Sequence, residues 1–233
     1  MLTTSNHTPF DCSICVFKHF ICQYISASEF ELLYQTSQQL KFRKNEYIMK
    51  QGTKASHMAF ISKGRAKMNY ETDSGKNIIL TITGSPNLIG AGIILNEGVN
   101  IFSIIAIEDC EVCLIDIDIL KSFIEKNGQL SLKLLEFLSN MFKDSIFNFI
   151  SLAHKQVNGR IADVLIYLSK TVYQSPKFTL NLSRKELAEF AGCSQENVIH
   201  TFTKFDKDGI IRSEGKNIEI VDQEMLNTIS RNG

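Results

Sequence analysis

Net charge, long apolar runs and proline are what this chain has least of, and each shortage excludes something. Lys plus Arg number 25 and Asp plus Glu number 25 over 233 residues, so the formal charge is zero. A balanced total argues against a partner held by overall charge, such as nucleic acid or an anionic membrane. No apolar stretch approaches the ~20 residues that cross a bilayer. Met1 to Asp11 also lack the basic start and apolar core of a secretory signal. The expectation is a soluble, cytoplasmic protein with no membrane partner. Thiols stay reduced there, so the six Cys read as metal or redox candidates rather than disulfides. The three prolines, Pro9, Pro86 and Pro176, interrupt no expected helix, and there is no internal repeat or low-complexity tract. What remains is an ordinary globular composition, 44% hydrophobic, long enough for one or two domains with a sizeable core.

The pattern along the chain changes three times. Residues 1–25 form a Cys-containing leader. Ser26 and Glu29 then have capping-box spacing ahead of a short helix over Phe30 to Tyr34. From about Leu40 to Asp116, short runs rich in Ile, Phe, Val and Thr alternate with turns at Gly52, Gly64, Gly75, Pro86 and Gly98. Turns spaced about every 8–12 residues between short strands predict a β-sandwich or roll, within a unit spanning 26–127. A helical period begins at Ile117, and 128–153 is the most apolar helix. Leu135, Leu138, Phe142, Ser145, Phe149 and Leu152 fall at alternating steps of three and four, while Leu132, Met141 and Ile146 lie off that stripe. A helix apolar on more than one face has a partner beyond its own domain, and a dimer seam is favoured over a monomer's central core helix.

Residues 154–233 form a compact α unit ending in a hairpin. Val157 to Val172 is an amphipathic helix, followed by a connector from Tyr173 to Asn181. Ser183 is an N-cap with Glu186 in capping-box position, and Leu187, Phe190 and Ala191 make an apolar face. Gly192 and Cys193 form a short turn, Ser194 caps a second helix with Val198, Phe202 and Phe205 inward, and Gly209 stops it. Helix, tight turn and helix make a helix-turn-helix, although an αα-hairpin inside a bundle shares that period. Two features favour the former. Each helix is too short to stand alone, and Gln195, Glu196, Asn197 and His200 can all hydrogen-bond base edges. Strands at Ile210–Ser213 and Lys216–Val221 read as a wing.

A β-roll, a long apolar helix and a C-terminal winged helix-turn-helix, in this order and size, resemble the Crp/Fnr family of bacterial transcription regulators. The similarity covers nearly the whole chain. It is densest at Ala191-Gly192-Cys193-Ser194-Gln195-Glu196-Asn197-Val198, at Gly209-Ile210-Ile211 through Gly215-Lys216, and at Cys110-Glu111-Val112. The resemblance implies an α+β chain: a cyclic-nucleotide-binding-like double-stranded β-roll, a dimerisation helix and a winged DNA-binding domain. It also implies a homodimer on near-palindromic double-stranded DNA, with RNA polymerase as a further partner. Glu196 matches the family's base-reading Glu, which accepts from a cytosine amino group. Gln195 and His200 stand where many members have Arg, which puts the target sequence in doubt. Arg184, Lys185, Ser194, Lys204 and Lys216 are candidate phosphate contacts, each of the charged ones also readable as a solvated surface charge.

The signal is less legible. Cyclic-nucleotide-binding members resemble one another at a Gly-Glu-Leu turn and a later Arg-Ser pair. Here Gly90, Ala91 and Gly92, then Asn100 and Ile101, stand at those places of the effector pocket. The ribose-binding carboxylate and the phosphate-binding guanidinium are both missing, which argues against cyclic AMP. Another small ligand in the roll stays open. Cys12, Cys15 and Cys22 form C-x2-C-x6-C, and with the distant Cys113 they are similar to the layout of Fnr-type oxygen sensors, which implies a [4Fe–4S] cluster. Cys110 is the second choice for the distant ligand. The leader spacing is one residue longer than that pattern. A Cys3His zinc site through His19, and a leader that binds nothing and simply packs, stay open beside it.

An enzyme is the first alternative, but the roll has only His57 for an oxygenase triad, and no nucleophile elbow or P-loop occurs. A ligand-binding regulatory subunit acting on a protein is the second. It would not need the polar second helix. Residues 154–233 hold 11 basic and 10 acidic side chains, so no basic domain hides in the neutral total. DNA affinity must then come from a few placed residues and from dimerisation.

Overall fold

The computed structural model describes residues 15–90 and 98–233. Helix α1 (Val16–Ile21) lies in the expected leader and is anchored by burying Phe17 and Ile21 against the roll. The expected capping box starts α2 (Ala27–Thr36): Ser26 Oγ accepts from the Glu29 N–H, and Glu29 Oε2 accepts from the Ser26 N–H at 2.8 Å.

The strands of the roll are β1 (Gln38–Phe42), β2 (Tyr47–Met49), β3 (His57–Lys63), β4 (Arg65–Glu71), β5 (Asn77–Gly84), β6 (Asn87–Ile89), β7 (Ser103–Ala106) and β8 (Cys110–Asp116). They form one antiparallel sheet in the order β1-β8-β3-β6 and another in the order β2-β7-β4-β5. Ile61, Ala66, Ile104 and Val112 belong to one buried apolar cluster, with Met58 and Ile115 among its other members. Period-2 alternation on β8 turns Cys110 and Val112 inward and Glu111 and Cys113 outward.

Asp116 caps α3 (Ile117–Lys126), and Asn127 caps α4 (Gly128–His154). The Asn127 amide also donates to the Tyr24 carbonyl, which ties the start of α4 to the leader. No helix among the described residues is long and apolar enough to cross a membrane.

The C-terminal part holds α5 (Val157–Tyr167) with a π-helical turn over Leu168–Val172, β9 (Lys177–Thr179), α6 (Arg184–Ala191) and α7 (Gln195–Lys207). The wing strands β10 (Ile211–Glu214) and β11 (Asn217–Ile220) and the last helix α8 (Gln223–Asn232) follow. Two elements differ from expectation. The connector contains β9, which pairs with β11 in a sheet ordered β10-β11-β9. The hairpin does not end the chain, because Asp222 caps α8, whose Leu226 joins the core. The larger surprise is the core itself. Ile79, Ile82 and Ile107 of the roll share one apolar cluster with Ile161, Leu165, Leu168, Leu187 and Phe205.

A shared core predicts shared unfolding. Leu165→Ala empties a fully buried position and should cost about 2–5 kcal/mol. Urea unfolding followed by probes in the roll and in the C-terminal part should show one transition displaced as a whole. Two separated transitions in the parent chain would show that the junction does not carry the coupling.

Candidate nucleic-acid interface

The α6–α7 pair is built as its residues require. Ser183 Oγ accepts from the Glu186 N–H at 3.2 Å, and Glu186 Oε2 accepts from the Ser183 N–H at 2.7 Å. Gly192 ends α6 in the left-handed region at φ 60°, where a side chain is strained. A Cβ there would also sit 2.7 Å from Leu152 Cδ2, the movable end of a side chain, so the left-handed backbone is what calls for glycine. Ser194 Oγ accepts from the Asn197 N–H at 3.2 Å and starts α7.

Val198, Thr201, Phe202 and Phe205 form the buried side of α7, and Thr201 Oγ1 donates to Asn158 Oδ1 at 2.9 Å. The opposite face is exposed. It carries Glu196, His200, Thr203 and Lys207 at helical steps of four, three and four, with Ile199 and Lys204 beside them. Gln195 and Asn197 are exposed too, on the flanks of that stripe. Continuing the helical step beyond His200 would have found Thr203 and Lys207, which the sequence reading stopped short of. The Glu196 backbone N–H and the Ser194 hydroxyl hold the Glu196 carboxyl below its ordinary range, keeping it an ionised acceptor.

The candidate phosphate contacts divide. Ser194, Lys185, Lys204 and Lys216 are exposed, Lys185 with its Nζ 4.0 Å from Glu189 and Lys216 at the β10–β11 turn. Arg184 is drawn inward instead. Its guanidinium lies 4.0 Å from the Phe202 ring centre and donates to Ser213 Oγ at 3.3 Å. Burial lowers its pKa from the ordinary arginine value. It braces α7 against the wing.

The roll grips this unit from behind. Lys67 Nζ on β4 lies 2.7 Å from Glu186 Oε1, with the two side chains 12% and 20% exposed. Burial raises the Glu186 pKa, but the bonds from Lys67 and Ser183 outweigh it and hold the carboxyl below the usual range. Arg65 pairs with Glu108 at 2.7 Å, donates to the Val172 carbonyl at 3.2 Å and stacks 4.4 Å over Tyr173. Tyr167 donates to the Ile82 carbonyl at 2.6 Å. None of these pairs leaves a local sequence signal, because the partners lie more than 40 residues apart.

On α4 the exposed apolar side chains are centred on Leu135, Phe142 and Phe149, with Leu132 and Ile146 at interleaved steps of three and four. Leu152 is exposed at the edge of this seam. Leu138 turns away and packs against the roll core.

Cys15 and Cys113 line one cleft of about 350 Å³ between α1, α2 and the outer face of the β1-β8-β3 sheet, with Phe17, Leu33 and Phe60. Cys22 is exposed at the other end of α1, about 10 Å along the helix axis from Cys15. Cys12 lies outside the described residues. Cys110 points inward, its thiol donating to the Arg65 carbonyl at 3.2 Å, and burial pushes its pKa up to about 11. Among the described residues no three His, Cys, Asp or Glu side chains are gathered for a metal. Of the described thiols, Cys15 and Cys113 share one cleft, Cys22 lies apart from them and Cys110 faces the core.

In the effector pocket, Ala91 and Gly92 lie outside the described residues. Gly90 is buried, and Asn100 is buried with its amide donating to Thr53 Oγ1 at 3.0 Å, while Ile101 is exposed. All five positions are uncharged, so a cyclic phosphate would meet no cation from them.

Comparison with known proteins adds family context. Residues 39–127 match the cyclic nucleotide-binding domain, and residues 159–229 match the Crp-like helix-turn-helix domain. The chain is 27% identical to a "CRP-like cAMP-activated global transcriptional regulator" of Mycobacterium tuberculosis, over 88% of this chain and 94% of the relative. It is 28% identical to the "Transcriptional activator protein anr" of Pseudomonas aeruginosa, over 77% and 75%. The structure of FixK2 from Bradyrhizobium japonicum superposes with a TM-score of 0.76 at 18% identity, covering 83% of this chain and 97% of that one, and shares the fold.

The Lys67–Glu186 pair gives a pH test. Because the Glu186 pKa is lowered in the folded chain, the stability it contributes is present above the unfolded carboxylate value of about 4.5. That contribution is lost as pH falls through the lower folded value. Lys67→Ala should cost about 2 kcal/mol in urea unfolding at pH 7. It should cost clearly less once Glu186 is protonated; an equal loss at both pH values would remove the pair from the account.

Proposed function

The chain belongs to the Crp/Fnr family of transcription regulators, and from that premise we propose that it acts as a homodimer on a near-palindromic duplex operator. The roll and leader (1–25 and 26–127) control it, the 128–153 helix joins two copies, and 154–233 reads DNA. One observation carries this reading: the outward stripe of α7 is polar, exposed and held from behind by Asn158 and Arg184.

In a helix-turn-helix the second helix enters the major groove with its N-terminal residues on base edges. The ionised Glu196 accepts from a cytosine amino group, and Gln195, Asn197 and His200 supply further donors and acceptors. Lys185, Lys204 and Lys216 are the cations offered to phosphates, and the Ser194 N-cap offers a hydrogen bond. Arg184 positions the wing rather than the backbone of the duplex. The exposed seam of α4 supports pairing with a second copy, since Leu135, Phe142 and Phe149 repeat every seven residues. RNA polymerase is the further partner this kind of regulator implies. The controlling signal is other than cyclic AMP, on the uncharged effector positions.

Site selection from random duplexes tests the reading. Glu196→Ala with His200→Ala should relax base preference while leaving the thermal midpoint within about 2 °C, since both side chains are exposed. An unchanged preference would mean that α7 does not read the site. Phe142→Lys should convert the dimer to a monomer in sedimentation and weaken operator binding at least tenfold. A variant that stays dimeric would place the interface elsewhere.

A further inference from the structure

The cleft beneath α1 and α2 sits on the outer face of the β1-β8-β3 sheet, and the proposed function leaves it unused. Gly90, Asn100 and Ile101 of the effector pocket do not line it. Its volume of about 350 Å³ lies at the lower end of small-molecule sites, about 300–1,000 Å³. Phe60 on β3 and Cys113 on β8 are paired across the strands and form the floor. Phe17 of α1 packs on that floor, its ring centre 5.2 Å from that of Phe60. Phe30, Leu33 and Tyr34 of α2 make the facing wall.

The charges around this apolar space are unequal. Lys18 Nζ lies 5.2 Å from the Phe30 ring centre, and Lys63 lines the cleft from the end of β3. Neither lysine has a carboxylate within ion-pair distance among the described residues. The one carboxylate of the lining, Glu111, already has Lys41 Nζ at 3.9 Å.

We propose that this cleft is a binding site for a ring-bearing organic anion. Its flat apolar body lies among the Phe17, Phe30 and Phe60 rings, and its single anionic group turns toward Lys18 and Lys63. Aromatic rings bury large areas and favour offset or edge-to-face contact with other rings, which this lining offers. The two lysines select the sign of the charge, since a cationic body would meet like charge at the rim. A polyanion such as a nucleotide does not fit, because the apolar lining would strip its water without replacement bonds.

The site does not depend on the DNA-binding reading, and its test uses no DNA. The full-length chain is titrated with anilinonaphthalene sulfonate, a ring-bearing anion whose fluorescence rises on leaving water. The probe is then displaced with naphthaleneacetate or with its neutral amide. The acid should compete about tenfold better than the amide, and added salt should narrow the gap. Lys18→Glu with Lys63→Glu should weaken the acid by about tenfold and leave the amide unchanged. The thermal midpoint should stay in place, because no ion pair is broken. In the parent chain the acid should slow alkylation of Cys15 and Cys113, but not of Cys22, which is exposed at the other end of α1. Three outcomes overturn the proposal. The first is no saturable probe binding, the result given by a cleft filled by the chain's own leader or by a second copy. The second is equal displacement by acid and amide, and the third is protection of Cys22 as strong as that of Cys15.

Discussion

The carboxylate of Glu186 is the point on which the presentation of the recognition helix depends. It closes the first turn of α6 by accepting from the Ser183 N–H, and it receives Lys67 from the roll with its other oxygen. A capping box alone is a local device that stabilises one short helix. Here the same group is also the point where the roll holds the winged unit. Beneath it, Ile79, Ile82 and Ile107 of the roll continue the core of the winged unit, so polar and apolar contacts enforce the same placement. A change in the roll that moves β4 or β5 must move α6, and α7 follows because Gly192 and Cys193 leave no slack between them.

The zero net charge gives this rigidity its purpose. A strongly basic protein gathers DNA by counterion release and then searches along it. With 25 charges of each sign, this chain has little of that long-range attraction. Under the proposed function its discrimination comes from short-range contacts on one face of α7, and such contacts tolerate little misplacement. Thr201 bonded to Asn158 and Arg184 stacked on Phe202 fix the rotation and tilt of the helix. Arg184 is the instructive case, since the sequence offers it as a phosphate contact and the fold uses its planar guanidinium as a brace.

Much of the architecture was legible because its signals are local. The capping boxes at Ser26 and Ser183, the left-handed Gly192 and the inward set Val198, Phe202 and Phe205 each lie within one or two turns of chain. Strand β9 was not legible because three residues after a proline carry no period, and its pairing with β11 is decided 40 residues later. Lys67, Arg65 and Tyr167 escaped for the same reason: their partners are distant in sequence, and each alone reads as a surface side chain. The seam on α4 was legible as a period but blurred in phase. That helix is apolar on two sides, and only the roll decides that Leu138 faces inward while Phe142 does not.

The last turn of α4 links the two halves of the proposed mechanism. Leu152 packs so closely on Gly192 that a Cβ there would lie 2.7 Å from its methyl carbon. The apolar seam that would join two copies thus ends against the turn that aims the recognition helix. In a symmetric dimer, two recognition helices must match successive major grooves about 34 Å apart. A small rotation of one α4 against the other would be carried through Leu152 into that spacing. In the proposed dimer, subunit geometry and operator geometry are then one constraint.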